Sequence, residues 1–120
     1  MNWLNKLLGK PYYKLYKNRD KYWYINDRFH REDGPAIEYA NGNKSWYLNG
    51  KLHREDGPAI EDADGTKTWY LNGNLHREDG PVVEFADGRT YYYINGKYIH
   101  QLDNKRIYGK ENLQKLLLLI

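Results

Sequence analysis

His30-Arg31-Glu32-Asp33-Gly34-Pro35 returns unchanged as His53-Arg54-Glu55-Asp56-Gly57-Pro58 and again as His76-Arg77-Glu78-Asp79-Gly80-Pro81, each copy 23 residues after the last. Identities of this length at one constant spacing define an internal repeat. The register extends outward in both directions, with Trp23, Trp46, Trp69 and Tyr92 on one position and units starting at Lys21, Lys44, Lys67 and, in a decayed fourth copy, Thr90. A half-unit precedes the array, because Leu15-Tyr16-Lys17-Asn18-Arg19-Asp20 aligns with Glu38-Tyr39-Ala40-Asn41-Gly42-Asn43. Drift of this kind at the ends is what capping repeats show. The chain therefore reads as a single repeat domain over 1–120. Residues 1–20 hold an N-terminal helix and the half-unit, 21–89 three repeats, and 90–120 a degenerate fourth repeat and a C-terminal helix.

Turn chemistry sets the secondary structure. Asn49-Gly50, Asn72-Gly73 and Asn95-Gly96 suit two-residue type I′ turns, in which both central residues need positive φ. Asn41-Gly42, Asp64-Gly65 and Asp87-Gly88 supply a second turn in each unit. Short strands such as Lys67-Thr68-Trp69-Tyr70-Leu71 and Ala59-Ile60-Glu61-Asp62 lie between them. Pro35, Pro58 and Pro81 cannot donate to a ladder, so they mark a bulge or a break. The expected fold is mainly β, an antiparallel meander of tandem β-hairpin repeats with two main strands per unit. Alternation puts Trp23, Trp46, Trp69 and Tyr92 on one face beside Ile25, Leu48, Leu71 and Ile94, which is read as the core. Tyr24, Tyr47, Tyr70 and Tyr93 fall opposite, as a second packed face or as a binding surface. Short capping helices are expected at both ends, from Trp3, Leu4, Leu7 and Leu8 and from Leu113, Leu116, Leu117 and Ile120.

Charge is segregated. Residues 1–20 carry five basic residues against one acidic, residues 21–89 nine against thirteen, and residues 90–120 five against two. The repeats at −4 lack the clustered cations that track phosphates, which argues against nucleic-acid binding through them. Cysteine is absent, which removes disulfides and thiolate metal sites. With neither a signal-peptide core nor an apolar run near the ~20 residues of a membrane span, the chain is expected in the cytoplasm, the host's if it is viral.

Asn49-Gly50-Lys51-Leu52-His53 and Ala63-Asp64-Gly65, inside a 23-residue unit with an aromatic strand, resemble the MORN repeat over about two-thirds of the chain. The family's short Gly-x-Gly after the histidine is replaced by Arg54-Glu55-Asp56-Gly57-Pro58, so this is a MORN-like variant. The resemblance implies a scaffold for protein or phosphoinositide contact that uses no cofactor. The chain is also similar to small Tyr/Asn/Lys-rich repeat proteins of phages and large DNA viruses. In a phage setting that similarity implies a small inhibitor of a host defence protein.

The His-Arg-Glu-Asp segment invites a catalytic reading, and spacing argues against it. Equivalent residues two strands apart lie ~10 Å from one another, whereas zinc holds nitrogen ligands at ~2 Å and acid–base partners must meet at ~3 Å. No catalytic or metal residue is therefore assigned. Repetition marks architecture, with Asp33, Asp56 and Asp79 bonding local backbone while the arginines and glutamates pair across neighbours. The expected function is a non-enzymatic protein-interaction module. Its alternative is a binder of an anionic small molecule, a nucleotide or a lipid headgroup, through the His/Arg ladder or the Tyr face. The candidate contact residues are Tyr24, Tyr47, Tyr70, Tyr93, His30, Arg31, His53, Arg54, His76 and Arg77, with Lys105 and Arg106 in the basic C-terminal flank. A homodimer through an open sheet edge is a further expectation. Peripheral membrane contact through the N-terminal helix ranks below a simple capping role.

Overall fold

Asn49 and Gly50 both adopt left-handed backbone, at φ 51° and 79°, and Asn72 and Gly73 repeat this at 49° and 80°. Each pair closes a two-residue hairpin, as its sequence requires. The structure, a computed structural model, describes residues 2–94 and 97–100, with side-chain environments over 3–93. Asn95-Gly96, the segment expected to form a C-terminal helix, Lys105 and Arg106 lie outside the described residues.

Helix α1 (Asn2–Leu7) is followed by β1 (Tyr12–Leu15), β2 (Lys21–Ile25), β3 (Arg28–Phe29) and β4 (Ile37–Glu38). The second unit supplies β5 (Lys44–Ser45), β6 (Tyr47–Leu48), β7 (Lys51–Leu52) and β8 (Ile60–Glu61). The third supplies β9 (Lys67–Thr68), β10 (Tyr70–Leu71), β11 (Asn74–Leu75) and β12 (Val83–Glu84), and β13 (Thr90–Ile94) and β14 (Lys97–His100) end the array. A ten-stranded antiparallel sheet runs in the order β1-β2-β4-β5-β8-β9-β12-β13-β14, with β3 paired to β2. Hairpins β6-β7 and β10-β11 stand apart as two-stranded sheets. A middle unit thus holds two pairs of short strands rather than two longer ones, because the expected strands break at the tryptophan. Trp46 donates its N–H to the Ala59 carbonyl at 2.7 Å, and its own carbonyl accepts from His53 N–H at 3.0 Å. One bond faces the main sheet and the other the side hairpin, so the chain crosses between them at that residue. Trp23 and Trp69 repeat both bonds.

Neighbouring units are sewn together by backbone and by short polar side chains. Gly50 N–H donates to Phe29 O, Gly73 N–H to Leu52 O, Arg31 N–H to Tyr47 O and Arg54 N–H to Tyr70 O. On the other edge, Asp20 Oδ1, Asn43 Oδ1 and Thr66 Oγ1 accept from the N–H groups of Ala40, Ala63 and Ala86. Asp20 belongs to the half-unit and does there what Asn43 does in the first full unit.

Both faces are packed, the Tyr side as a second packed face beside the expected Trp side. Tyr22 pairs with Ile37 in register, Ser45 with Ile60 and Thr68 with Val83, so these residues share a face with Tyr24, Tyr47 and Tyr70. Phe29 packs there against Tyr24 and Tyr47, both at 5.3 Å between ring centres, and Tyr12 stacks on Tyr24 at 5.3 Å. The Trp23/Trp46/Trp69 stripe is only half-buried. Beneath it Ala36, Ala59 and Val82 are fully enclosed, and Tyr92 is buried at the equivalent of the tryptophan. Alternation sorts side chains between faces correctly, and each face is partly covered.

Two expected outcomes follow from this packing. Burial pushes the Tyr12 phenol up to about 12, helped by its hydrogen bond to Asp27, and burial likewise pushes Tyr24 up to about 12. The unfolded chain loses these protons near pH 10 while the native state keeps them, so stability holds below pH ~10 and falls as pH rises toward 12. Urea midpoints measured across that range should show the fall, and Tyr24→Phe should make it shallower. Arg19 sits at φ 76°, where the aligned Gly42 has 97°. Arg19→Gly should raise the stability by about 1 kcal/mol in urea unfolding, since an L-residue is strained there.

Candidate functional site

Residues 31–35, 54–58 and 77–81 carry the chain from each side hairpin back to the main sheet, and the arginine that opens each loop also holds it closed. Arg31, Arg54 and Arg77 donate from Nε to Asp33, Asp56 and Asp79 Oδ1, each at 3.0 Å. Their Nη1 atoms donate to the carbonyls of Pro35, Pro58 and Pro81 at 3.2, 3.1 and 3.1 Å. Nη1 also meets Glu38, Glu61 and Glu84 Oε1 at 3.6, 3.3 and 2.9 Å. The guanidinium lies over the indole of Trp23, Trp46 or Trp69, 4.7, 4.0 and 3.8 Å from the ring centre. Arg31 holds the Asp33 carboxyl below the usual carboxylate range.

The invariant glycine follows from the same packing. A Cβ at Gly34, Gly57 or Gly80 would lie 2.8, 3.0 or 2.7 Å from the guanidinium carbon, so a side chain there would push the clamped arginine out of place. The aspartates bind the arginine and not local backbone alone, and the arginine–glutamate pairs form within one unit instead of across neighbours. Both differ from the sequence expectation. The fixed offsets from Arg to Asp, Pro and Glu, kept in all three copies, are the signal that could have revealed the clamp.

The histidines link units. His30 Nδ1 accepts from Asn49 N–H and His53 Nδ1 from Asn72 N–H, both at 2.9 Å. An acceptor Nδ1 puts the ring proton on Nε2, which faces Glu32 at 3.5 Å or Glu55 at 3.6 Å. His76 Nε2 lies 3.8 Å from Glu78. Trp23 Nε1 is shielded from solvent and has no acceptor among the described residues.

Between successive loops the surface is notched. One notch of about 690 Å³ has Trp46 and Leu48 on its floor, with Arg31, Glu32 and Asp33 on one wall and Arg54, Glu55 and Asp56 on the other. The next, about 830 Å³, repeats this with Trp69, Leu71 and the loops at 54–58 and 77–79. The clamp arginines are spent internally, whereas the Glu32 and Glu55 side chains are 83% and 84% exposed. Two arginines against four carboxylates leave each notch at −2 with neutral histidines.

Of the His/Arg candidates, Arg31, His53, Arg54, His76 and Arg77 line the notches, while His30 is buried. Tyr24 and Tyr47 lie on the packed face opposite, where burial raises both phenols, Tyr70 is half-buried on that face, and Tyr93 is exposed. Sequence reasoning overlooked the floor residues Trp46, Leu48, Trp69 and Leu71 by taking them as core. A different surface occupies the N-terminal end, where Trp3, Leu7, Leu8 and Leu15 are exposed beside Lys6 and Lys14. Among the described residues no cluster of three or more His, Asp or Glu could hold a metal ion, and no helix is long and apolar enough to cross a membrane. Comparison with protein families, with curated proteins and with solved structures finds no match to this chain.

The clamp predicts a sharp distinction between two basic residues. Arg54→Ala should lower stability by about 2–3 kcal/mol, and Arg54→Lys should recover less than half of it. An ammonium cannot stack on Trp46 while bonding Asp56, the Pro58 carbonyl and Glu61 together. Chemical denaturation of the two variants checks this, and full rescue by lysine would show that only charge matters.

Proposed function

We propose that the chain is a non-enzymatic protein-interaction module that presents the notched face of its repeats to a protein partner. The observation that carries this reading is the engagement of the chemically active side chains. Each Arg of the repeated segment is bound to its own loop, and His30 and His53 are bound to the next unit's turn. What remains toward solvent is a rigid surface with aromatic floors and carboxylate rims. Surfaces of that kind bind through shape and charge and leave covalent chemistry to others.

The same geometry speaks against an anionic small molecule. A nucleotide or headgroup entering a notch would meet arginines that already carry carboxylate partners, in a site of net negative charge. Narrowed by the resemblance to phage repeat proteins, the proposed partner is a host defence protein. Immobilised full-length chain exposed to bacterial lysate should retain one protein in stoichiometric amount. Retention of none would overturn the module reading, as would metal-independent turnover of any substrate in a panel of generic esters, phosphodiesters and glycosides.

A further inference from the structure

The floor and rim of each notch are matched to a cation on a long apolar stem. Leu48 and Leu71 line the notches beside Trp46 and Trp69, whose rings already carry Arg54 and Arg77, and Glu32, Asp33, Glu55, Asp56, Glu78 and Asp79 stand around them. The chain itself shows the chemistry in miniature, since Arg54 lays its guanidinium on Trp46 and bonds Asp56 and Glu61. A lysine or arginine from outside would lay its methylenes along Leu48 or Leu71 and place its charge among the exposed carboxylates.

The spacing then selects the backbone that delivers such side chains. The main sheet advances by two strands per unit, β5 and β8 followed by β9 and β12, so equivalent notches are ~9.6 Å apart. A polyproline II strand repeats its face every third residue and advances ~9.3 Å in doing so. An extended β-strand repeats its face every ~6.8 Å and misses alternate notches. An α-helix repeats after seven residues, ~10.5 Å, and drifts by ~0.9 Å per unit. Charge complementarity and period thus agree on one occupant.

Resting on the interaction-module reading, we infer that the notched face binds an extended basic peptide in polyproline II conformation, with lysine or arginine at every third position. The cations occupy successive notches and the intervening residues bridge the loop crests.

The test uses the full chain and a fluorescent peptide of repeated Lys-Pro-Pro, with Gln-Pro-Pro and Lys-Thr repeats as controls, read by anisotropy at low and at physiological salt. Lys-Pro-Pro should bind and weaken with salt, and both controls should bind at least about tenfold less tightly. The combined Glu32→Gln, Glu55→Gln and Glu78→Gln variant changes exposed groups. It should keep the native circular dichroism spectrum and lose about tenfold in affinity for the peptide, since three rim carboxylates around the two notches are removed. Equal binding of Lys-Pro-Pro and Gln-Pro-Pro would overturn the inference. So would an unchanged affinity in the variant, or equally good competition by spermine, which carries cations without the backbone. If the lysate bait still retains a partner while Lys-Pro-Pro fails to bind, this inference falls alone and the module reading stands.

Discussion

Everything distinctive about this fold depends on one guanidinium per unit being held between an indole and a set of oxygen acceptors. Arg54 stacks at 4.0 Å on Trp46 and donates to Asp56, to the Pro58 carbonyl and to Glu61. Planarity is essential, because only a flat, five-donor cation can lie on a ring and bond several oxygens around its edge. The requirement fixes the residues around it. Asp56 must follow at two positions, Gly57 must lack a Cβ at 3.0 Å from the guanidinium carbon, and Pro58 cannot donate but its carbonyl can accept. The tryptophan must stay half-open so that the cation can reach its face. A six-residue motif repeated without change is the sequence trace of this mutual dependence. The fourth unit makes the point by losing its parts together, with Tyr92 at the tryptophan position and His100 at the arginine position.

Stacking of units uses a separate set of contacts, and this separation lets the array behave as a one-dimensional solid. The arginine clamp acts within a unit. The joints between units are backbone bonds such as Gly50 to Phe29, the Nδ1 acceptors of His30 and His53, and the Asp20, Asn43 and Thr66 ladder. Three different residue types serve in that ladder, because any short side chain with an oxygen at the right height can accept the same N–H. The contact within the unit tolerates no substitution across the three full copies, and neither does the histidine joint between units, while the Asp20, Asn43 and Thr66 ladder does.

Much of this was legible in the sequence, and the remainder was hidden for physical reasons. The period, the Asn-Gly hairpins, the half-unit and a helix over Asn2–Leu7 follow from local rules that act over a few residues. The break at Trp46 was not legible, because a strand that donates to one sheet and accepts from another has the same hydropathy pattern as a continuous one. The extent of packing on the Tyr face was hidden too. Hydropathy ranks tryptophan and leucine above tyrosine and so places the core on the Trp/Leu side. In the fold the Tyr24–Phe29–Tyr47 cluster packs, and the tryptophans are roofed by charged groups that a hydropathy scale places in water. The arginine partners lie at offsets that fit no helical or strand period, so only their recurrence in three copies could have exposed them.

Identical notches impose a constraint on recognition as well as on folding. A partner whose side chains repeat in step with the units finds nearly equal energy when shifted by one unit, so the periodic surface supplies affinity without fixing the register. Register must come from parts of the chain that break the repeat. Residues 1–20 do so most plainly, since they reverse the charge to +4 and set Trp3, Leu7, Leu8 and Leu15 in solvent beside lysines. Such a patch is unlike any notch and attracts the opposite charge. A partner that is basic along the repeats and acidic or apolar where it meets α1 and β1 would be aligned by that contrast alone. The two halves of the recognition problem then rest on different parts of the sequence. In the proposed reading the arginine clamp, through its uniformity, supplies a ruled surface, and the departure from the repeat at the N-terminal end would set where a partner begins.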